Sequence, residues 1–162
     1  MLYGINELYR VVDDIKPDIN KCYYHAGREN TCYVDDSSEV PLIRFTPFRK
    51  HGWLSLGFST RLGGVSKGRF ASLNLGFNRG DDQENVIENY KRVSKAMNGS
   101  YKNLVLSDQV HDTKVMYVDK TYTAGSGFEK KLSGIDGMVT DVPGIILATS
   151  YADCVPLFLL TL

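Results

Sequence analysis

One segment of this 162-residue sequence has the repeat of an amphipathic helix, and it lies among many short strand-like segments. Between residues 81 and 99, apolar side chains recur at helical spacing, at Val86, Ile87, Tyr90, Val93 and Met97. Asp81, with Glu84 three residues later, predicts the N-cap, and Asn98-Gly99 predicts a left-handed stop. We therefore expect this helix to cover a hydrophobic core and not to carry catalytic residues.

The strand-like segments are short, and several alternate between apolar and polar residues. They lie at residues 8–12, 31–34, 40–45, 52–58, 104–106, 114–118, 137–140, 145–149 and 155–160. Many short strands with one strong helix predict an α+β domain with a mixed β-sheet.

The composition is that of one globular domain without net charge. The chain has 19 basic and 19 acidic residues, and 43% of it is hydrophobic. Balanced charge provides no field that would attract a nucleic acid polymer or an anionic membrane, so a small neutral or zwitterionic substrate is expected. The apolar runs are far shorter than the roughly 20 residues of a spanning helix, and the first residues have no leader pattern. We therefore expect a cytoplasmic protein.

Three cysteines, Cys22, Cys32 and Cys154, make an odd number without dense spacing. This pattern argues against a secreted disulfide framework and favours reduced thiols. Cys22, His25 and Cys32 could be read as a metal site, but a fourth ligand and a second ligand pair are missing. Free thiols that bind no metal are therefore the better interpretation of Cys22 and Cys32.

Cys154 and His111 each lie where a strand-like segment ends. Thiolate and imidazole are the pair of ligands that zinc or copper prefers, but two ligands alone hold a metal weakly. The same pair would serve as a cysteine nucleophile and its base, with Asp153 or Asp136 orienting the base. A single histidine in such a position is more often structural. The residues alone leave these interpretations open.

Arg61 lies in a long glycine- and serine-rich stretch that runs from residue 59 to Gly80. Loops of that length in compact domains are usually functional. A guanidinium beside Gly63-Gly64 could bind phosphate or carboxylate with help from backbone N–H groups. A surface arginine next to a tight turn explains the pattern equally well.

Six motifs together resemble the YfiH family, also called the multicopper polyphenol oxidase or laccase-domain family, whose bacterial members include peptidoglycan editing factors. The motifs occur in the family's order and spacing. They are Phe58-Ser59-Thr60-Arg61-Leu62-Gly63-Gly64-Val65-Ser66, Ser72-Leu73-Asn74-Leu75-Gly76, Asp81-Asp82, Leu106-Ser107-Asp108-Gln109-Val110-His111, Asp136-Gly137-Met138-Val139-Thr140-Asp141 and Ala152-Asp153-Cys154-Val155-Pro156.

The resemblance implies mixed β-sheets flanked by helices, in an αββα-type sandwich. It also implies a zinc-dependent enzyme that phosphorolyses adenosine, inosine, guanosine and methylthioadenosine and deaminates adenosine. In the family pattern, His111 and Cys154 would be metal ligands with catalytic roles, and copper is the alternative metal. For the complete site we hypothesise that Arg61 gathers phosphate and that Asn74 and Gln109 contact sugar or base. The implied partners are a purine nucleoside and phosphate. Whether the protein also forms a homodimer is left open.

The family's third ligand, a histidine in a His-x-Gly-Trp-Arg-Gly motif, does not occur in this sequence. We expect residues 39–162 to be the N-terminal portion of the family domain, with residues 1–38 as an N-terminal extension or edge strands. Losing one ligand of three predicts an impaired or inactive chain. The alternatives are a metal-free cysteine hydrolase that edits peptidoglycan precursors, a copper-dependent polyphenol oxidase, and a non-enzymatic binding module.

Overall fold

The structure is a computed structural model that describes residues 32–123 and 132–160. The chain divides between Asn98 and Gly99 into two units. The predicted strand at residues 8–12, together with Cys22 and His25, lies outside the described residues. Across the part that is described, no helix is long and apolar enough to cross a membrane.

The first unit contains an antiparallel sheet of three strands in the order β1-β2-β3. The strands are β1 (Cys32–Asp35), β2 (Leu42–Phe45) and β3 (Phe58–Ser59). Cys32 pairs with Phe45 across β1 and β2, so β1 shares a sheet with residues beyond position 38. The division at residue 38 stays a prediction.

The structure corrects the prediction of reduced thiols at one position, because Cys32 is disulfide-bonded. An odd number of cysteines prevents all three from pairing, but it does not prevent two of them from doing so.

The predicted helix is present as α1 (Gln83–Ala96), and its stop is Asn98 at φ 58°. The N-cap is Asp82, whose carboxylate accepts the N–H of Glu84 at 2.9 Å, so the prediction of Asp81 is wrong. Asp81 does not cap the helix because its carboxylate binds the loop side chains of Ser66 and Asn74, at 2.7 and 2.9 Å.

The core of the first unit lies between α1 and the sheet. Val40, Leu42, Leu73 and Ala96 are buried in one cluster, and Leu75, Val93 and Met97 pack against it. Arg44 joins the two layers, since its guanidinium pairs with Asp35 at 3.0 Å and donates to the Ala96 carbonyl at 2.9 Å. That carbonyl is one of the last in the helix, where no backbone donor is available.

The strand predicted at residues 52–58 is almost entirely absent, because only Phe58 and the following Ser59 are paired. Two turns precede it: the His51 N–H donates to the Phe48 carbonyl at 3.0 Å, and the Leu54 N–H donates to the His51 carbonyl at 2.9 Å. Trp53 is 69% exposed as a result. Alternation in the sequence was therefore not enough to form a strand here.

The second unit contains two parallel sheets. The first has the order β6-β4-β8, with β4 (Leu104–Asp108) between β6 (Leu132–Ser133) and β8 (Ile146–Ala148). The second pairs β5 (Val115–Tyr117) with β7 (Gly137–Val139). Leu104 to Ser107 of β4 are buried. The α+β class is thus confirmed, with antiparallel strands in one unit and parallel strands in the other.

The strand predicted at residues 155–160 is wrong for this structure. That segment has no regular structure and pairs with no other strand of the described residues. Its exposure still alternates, with Val155, Leu157 and Leu159 exposed by 90%, 76% and 84%. Sequence alternation describes how a segment would pair, but a strand also requires a neighbouring strand to accept its hydrogen bonds.

Candidate functional site

The loop that carries His111 follows the buried central strand of the second unit. β4 ends at Asp108, and residues 109–114 form an exposed connection to β5. His111 lies at the middle of this connection with φ 63°, in the left-handed region that non-glycine residues rarely adopt. The imidazole is on the exposed surface. A strained residue in an exposed loop at a strand end is a recognised feature of functional sites.

The carboxylate of Asp136 holds this loop through its backbone. Oδ1 accepts the N–H of His111 at 2.7 Å and that of Val110 at 3.1 Å. Oδ2 accepts the N–H of Asp112 at 3.0 Å and approaches that of Val110 at 3.3 Å. Three consecutive backbone donors therefore converge on one side chain, as they do around an anion bound in a backbone nest.

Backbone hydrogen bonds fix the turn that carries Asp136 on both sides. The Gly134 N–H donates to the Asp108 carbonyl at 3.1 Å. The N–H groups of Asp136 and Gly137 both donate to the Lys114 carbonyl, at 3.1 and 3.0 Å. Gly134 has φ 68°, which a glycine adopts without a steric penalty. The turn at 134–137 is therefore joined to the last residue of β4, to the centre of the His111 loop and to the last residue of that loop.

The charge of Asp136 follows from these contacts. Burial of the carboxyl group raises its pKa, but the N–H groups of Asp112, His111 and Val110 and the nearby His111 charge lower the pKa by more. The net shift is downward, so the carboxylate stays ionised at neutral pH. It accepts hydrogen bonds only, as the three backbone donors require.

Cys154 follows the neighbouring strand at the same edge of the sheet. β8 is parallel to β4 and ends at Ala148, and Cys154 comes six residues later as an exposed free thiol. The Ser150 N–H donates to Oε1 of Gln109 at 3.0 Å, so the segments after β4 and β8 are hydrogen-bonded. The carboxyl ends of parallel strands are where α/β and related folds place ligands.

The potential metal ligands among the described residues are too few for a metal site. Among residues 32–123 and 132–160, no group of three or more His, Cys, Asp or Glu side chains could hold a metal ion. His111 and Cys154 are donors of the type zinc prefers, but zinc sites in proteins use at least three protein ligands. The described residues alone therefore do not make up a metal centre.

Arg61 and Asn74, the other predicted site residues, lie in the loop between β3 and α1 of the first unit. The Arg61 guanidinium donates from Nε to the Ala71 carbonyl at 2.6 Å and from Nη2 to the Arg69 carbonyl at 2.7 Å. Asn74 donates to Asp81 and accepts the Gly76 N–H at 3.0 Å. Both side chains stabilise the loop that contains them.

Asn89, on α1, organises this loop and was not predicted as a key residue. Its side chain is fully buried. Oδ1 accepts the Val65 N–H at 2.8 Å, and Nδ2 donates to the Asn74 carbonyl at 2.8 Å and to Ser66 Oγ at 2.9 Å. The available signal was an asparagine next to the apolar stripe of the helix, where burial would force it to find polar partners.

The glycine pair beside Arg61 is explained by close backbone approach. A Cβ on Gly64 would lie 2.1 Å from the Ser72 carbonyl oxygen, and one on Gly63 would lie 2.0 Å from that of Glu39. Gly63 also has φ 86°. The pair therefore has a structural role in the loop, whatever the loop binds.

With this geometry in place, comparison with known proteins identifies the family. The profile of a family described as "Multi-copper polyphenol oxidoreductase laccase" matches residues 55–161, which is more than half of the chain. The chain belongs to this family. This match confirms the resemblance of the six sequence motifs to the laccase-domain family, which is also called the YfiH family.

Individual relatives agree with this membership. The chain is 39% identical over 105 residues to a protein named purine nucleoside phosphorylase YlmD from Geobacillus stearothermophilus, covering 63% of this chain and 38% of that protein. It is 34% identical over 125 residues to a purine nucleoside phosphorylase from Bacteroides thetaiotaomicron, covering 76% and 46%.

Two solved structures share the fold. The YfiH protein of Bacillus licheniformis has a TM-score of 0.67 and 29% identity, covering 78% of this chain and 46% of that one. YlmD from Geobacillus stearothermophilus has a TM-score of 0.62 and 31% identity, covering 82% and 45%. This chain thus spans less than half the length of these laccase-domain relatives.

Proposed function

We propose that the protein to which this chain belongs is a purine nucleoside phosphorylase, with His111 and Cys154 at its active site. The observation that carries the proposal is the hydrogen bond between Gln109 and Ser150, which joins the segments of His111 and Cys154 at one edge of a parallel sheet. The names of the laccase-domain relatives supply the reaction class.

In this reaction, a phosphate oxygen attacks the anomeric carbon of the ribose. The bond from that carbon to the purine nitrogen breaks, the base leaves with the bonding electron pair and takes up a proton, and ribose 1-phosphate forms. The Gln109 amide accepts the Ser150 N–H through Oε1, so its NH₂ group can still donate to sugar or base. Two nitrogens of Arg61 hold loop carbonyls, and Nη1 remains for phosphate.

We further propose that His111 and Cys154 supply two of three ligands to a zinc ion, with copper as the alternative. The third ligand would come from a part of the protein beyond the described residues. Bound zinc would act as a Lewis acid toward an oxygen of the substrate or of water. With an activated water, the same site would deaminate adenosine. The proposed nucleosides are adenosine, inosine, guanosine and methylthioadenosine.

The test is release of adenine from adenosine with and without phosphate, measured in the full-length protein for wild type, Cys154→Ala and Val155→Ala. Val155 is 90% exposed and adjacent to the thiol, so its variant controls for any change in this segment. We expect phosphate-dependent release that Cys154→Ala abolishes and Val155→Ala retains. Equal rates for wild type and Cys154→Ala would remove the thiol from the mechanism.

A metal-free cysteine hydrolase is the second candidate, because Cys154 is an exposed free thiol. It predicts hydrolysis that needs no phosphate, survives chelators and stops on alkylation of the thiol. The zinc proposal predicts activity that chelators remove and zinc restores. Oxidation of phenols after copper loading would instead favour the polyphenol oxidase.

A further inference from the structure

The contacts of Asp136 have a feature that sheet formation does not require. Its carboxylate accepts the N–H groups of Val110, His111 and Asp112, which are 26, 25 and 24 residues away in the sequence. None of these donors belongs to a strand. The parallel pairing of β5 with β7 is made by other residues, from Val115 with Gly137 to Tyr117 with Val139. The carboxylate therefore stabilises the loop rather than the sheet.

The conformation of His111 is what this contact most directly controls. At φ 63° the residue is in a region where a glycine would be less strained. The shortest of the bonds to Asp136, at 2.7 Å, comes from the N–H of His111 itself. The N–H groups of His111 and Asp112 belong to the two peptide groups that flank His111, and the Val110 N–H holds the peptide group before them. The backbone that sets the direction of the His111 side chain is thus fixed from three consecutive positions.

We infer that Asp136 is a positioning residue for His111, holding its backbone in the left-handed conformation that directs the imidazole toward the reacting groups. The catalytic consequence rests on the function proposed above, whereas the structural consequence does not. Asp136 itself does not touch substrate in this inference. It acts only through the peptide groups of residues 110–112.

The geometry requires a carboxylate and not just a polar side chain. Oδ1 and Oδ2 both face backbone N–H donors, namely His111 and Asp112. An asparagine would turn an NH₂ donor toward one of these N–H groups in either orientation of its amide. Asp136→Asn should therefore release one side of the loop with almost no change in side-chain volume. Asp136→Glu keeps both acceptors on a longer side chain and should retain more of the contact.

The experiment compares wild type, Asp136→Asn, Asp136→Glu and Asp119→Asn in the full-length protein. Asp119 is the matched control, because its carboxylate also accepts a backbone N–H, from Thr121 at 2.8 Å, but outside the His111 loop. The first readout is the ¹⁵N signal of the His111 ring, assigned by its loss in His111→Gln. The second is kcat and KM for phosphorolysis of adenosine, and the third is the melting temperature.

For Asp136→Asn we expect a shifted or multiplied His111 ring signal. We also expect a loss in kcat of about 10- to 100-fold, as a misplacement near 1 Å produces, with a smaller change in KM. Asp136→Glu should lie between wild type and Asp136→Asn in both readouts. Asp119→Asn should keep the wild-type ring signal and kcat. Asp136→Asn and Asp119→Asn should have similar melting temperatures.

An unchanged ring signal and a kcat within twofold of wild type in Asp136→Asn would overturn the inference. So would an equal loss of kcat in Asp119→Asn, because the effect would then be general to the second unit. If the wild-type protein does not phosphorolyse nucleosides, the proposed function fails. The ring signal then still decides whether Asp136 positions His111, so the two failures are distinguishable.

Discussion

The loop of residues 60–76 in the first unit and the loop of residues 109–114 in the second stabilise their backbones in different ways. In the first loop, the side chains of Arg61 and Asn74 bind carbonyl and N–H groups of the loop itself, and the buried Asn89 reaches in from α1. In the second, one carboxylate from outside the loop binds three of its N–H groups. The first loop uses its own polar side chains for structure, whereas the second leaves that of His111 on the surface.

This difference separates two kinds of candidate site residue. A polar residue that holds its own loop contributes to folding whether or not it also touches a ligand, and Asn74 makes such loop contacts. A polar residue whose backbone is held by another group does not need its side chain to hold the loop, and the side chain of His111 is exposed. The two cases predict different effects of substitution, on stability in the first loop and on activity in the second.

The largest effect on stability is expected for Asn89→Ala. Asn89 is fully buried, and the substitution leaves the part-buried Val65 N–H and Asn74 carbonyl without their partner. Each buried polar group left unsatisfied costs roughly 1–3 kcal/mol, so we expect a loss of about 3 kcal/mol in the free energy of unfolding. Urea denaturation measures it.

Lys91→Ala on the same helix is the control for Asn89→Ala. Its exposed ion pair with Glu88, at 3.8 Å, predicts a loss of less than about 0.5 kcal/mol. Equal losses for the two variants would mean that the Asn89 network does not hold the loop. The proposed difference between the two loops would then be wrong.

Gly64→Ala is expected to have the next largest effect. The new Cβ would lie 2.1 Å from the Ser72 carbonyl oxygen, so two backbone segments of the loop must separate. Overpacking of this kind costs about 1–3 kcal/mol. Gly52→Ala is the control, because a Cβ there meets nothing within 4 Å. A melting temperature for Gly64→Ala no lower than that of the control would contradict the close approach.

Acid should weaken the first loop through Asp81. Hydrogen bonds from Asn74 and Ser66 lower the pKa of its carboxyl group, against a smaller opposing effect of burial. A lowered folded-state pKa gives stability that is present above the unfolded pKa of about 3.9 and is lost as pH falls through the folded value. Unfolding free energies from pH 7 to pH 3 should therefore fall less steeply for Asp81→Asn than for wild type. Parallel curves would show that Asp81 does not contribute.

A structural element could be predicted from the sequence when the interactions that form it are local in the sequence. The helix was predicted because its apolar period and its stop at Asn98 are local, and its N-cap was misplaced by one residue because Asp81 binds loop side chains instead. The strand at residues 155–160 was predicted wrongly because strands need a partner. The fold class and the family were predicted correctly from the pattern of short segments and from the six motifs.

The candidate site was predictable only in part. His111 and Cys154 could be proposed from residue type and position at strand ends. Asp136 was named as one of two carboxylates that could orient the base, but its contact with the backbone of residues 110–112 could not be predicted, because these donors are 24 to 26 residues away and no side-chain pattern reveals them. Asn89 was missed for a similar reason, since its partners are mostly backbone groups of a loop that precedes it by 15 to 24 residues.

Apart from the control variants, the smallest effect on stability is expected for Arg61→Lys, which is also the sharpest test of the comparison. The two carbonyls that Arg61 binds are at exposed positions, so water can replace the guanidinium and the loss should be below about 1 kcal/mol. If Arg61 also gathers phosphate, a lysine, which lacks the planar fork that holds both loop carbonyls and leaves Nη1 for phosphate, should raise KM for phosphate by about tenfold. Steady-state kinetics at varied phosphate, beside the melting temperature, separate the two roles. A KM for phosphate equal to that of wild type would leave Arg61 as a residue that only holds its own loop and would place phosphate binding elsewhere.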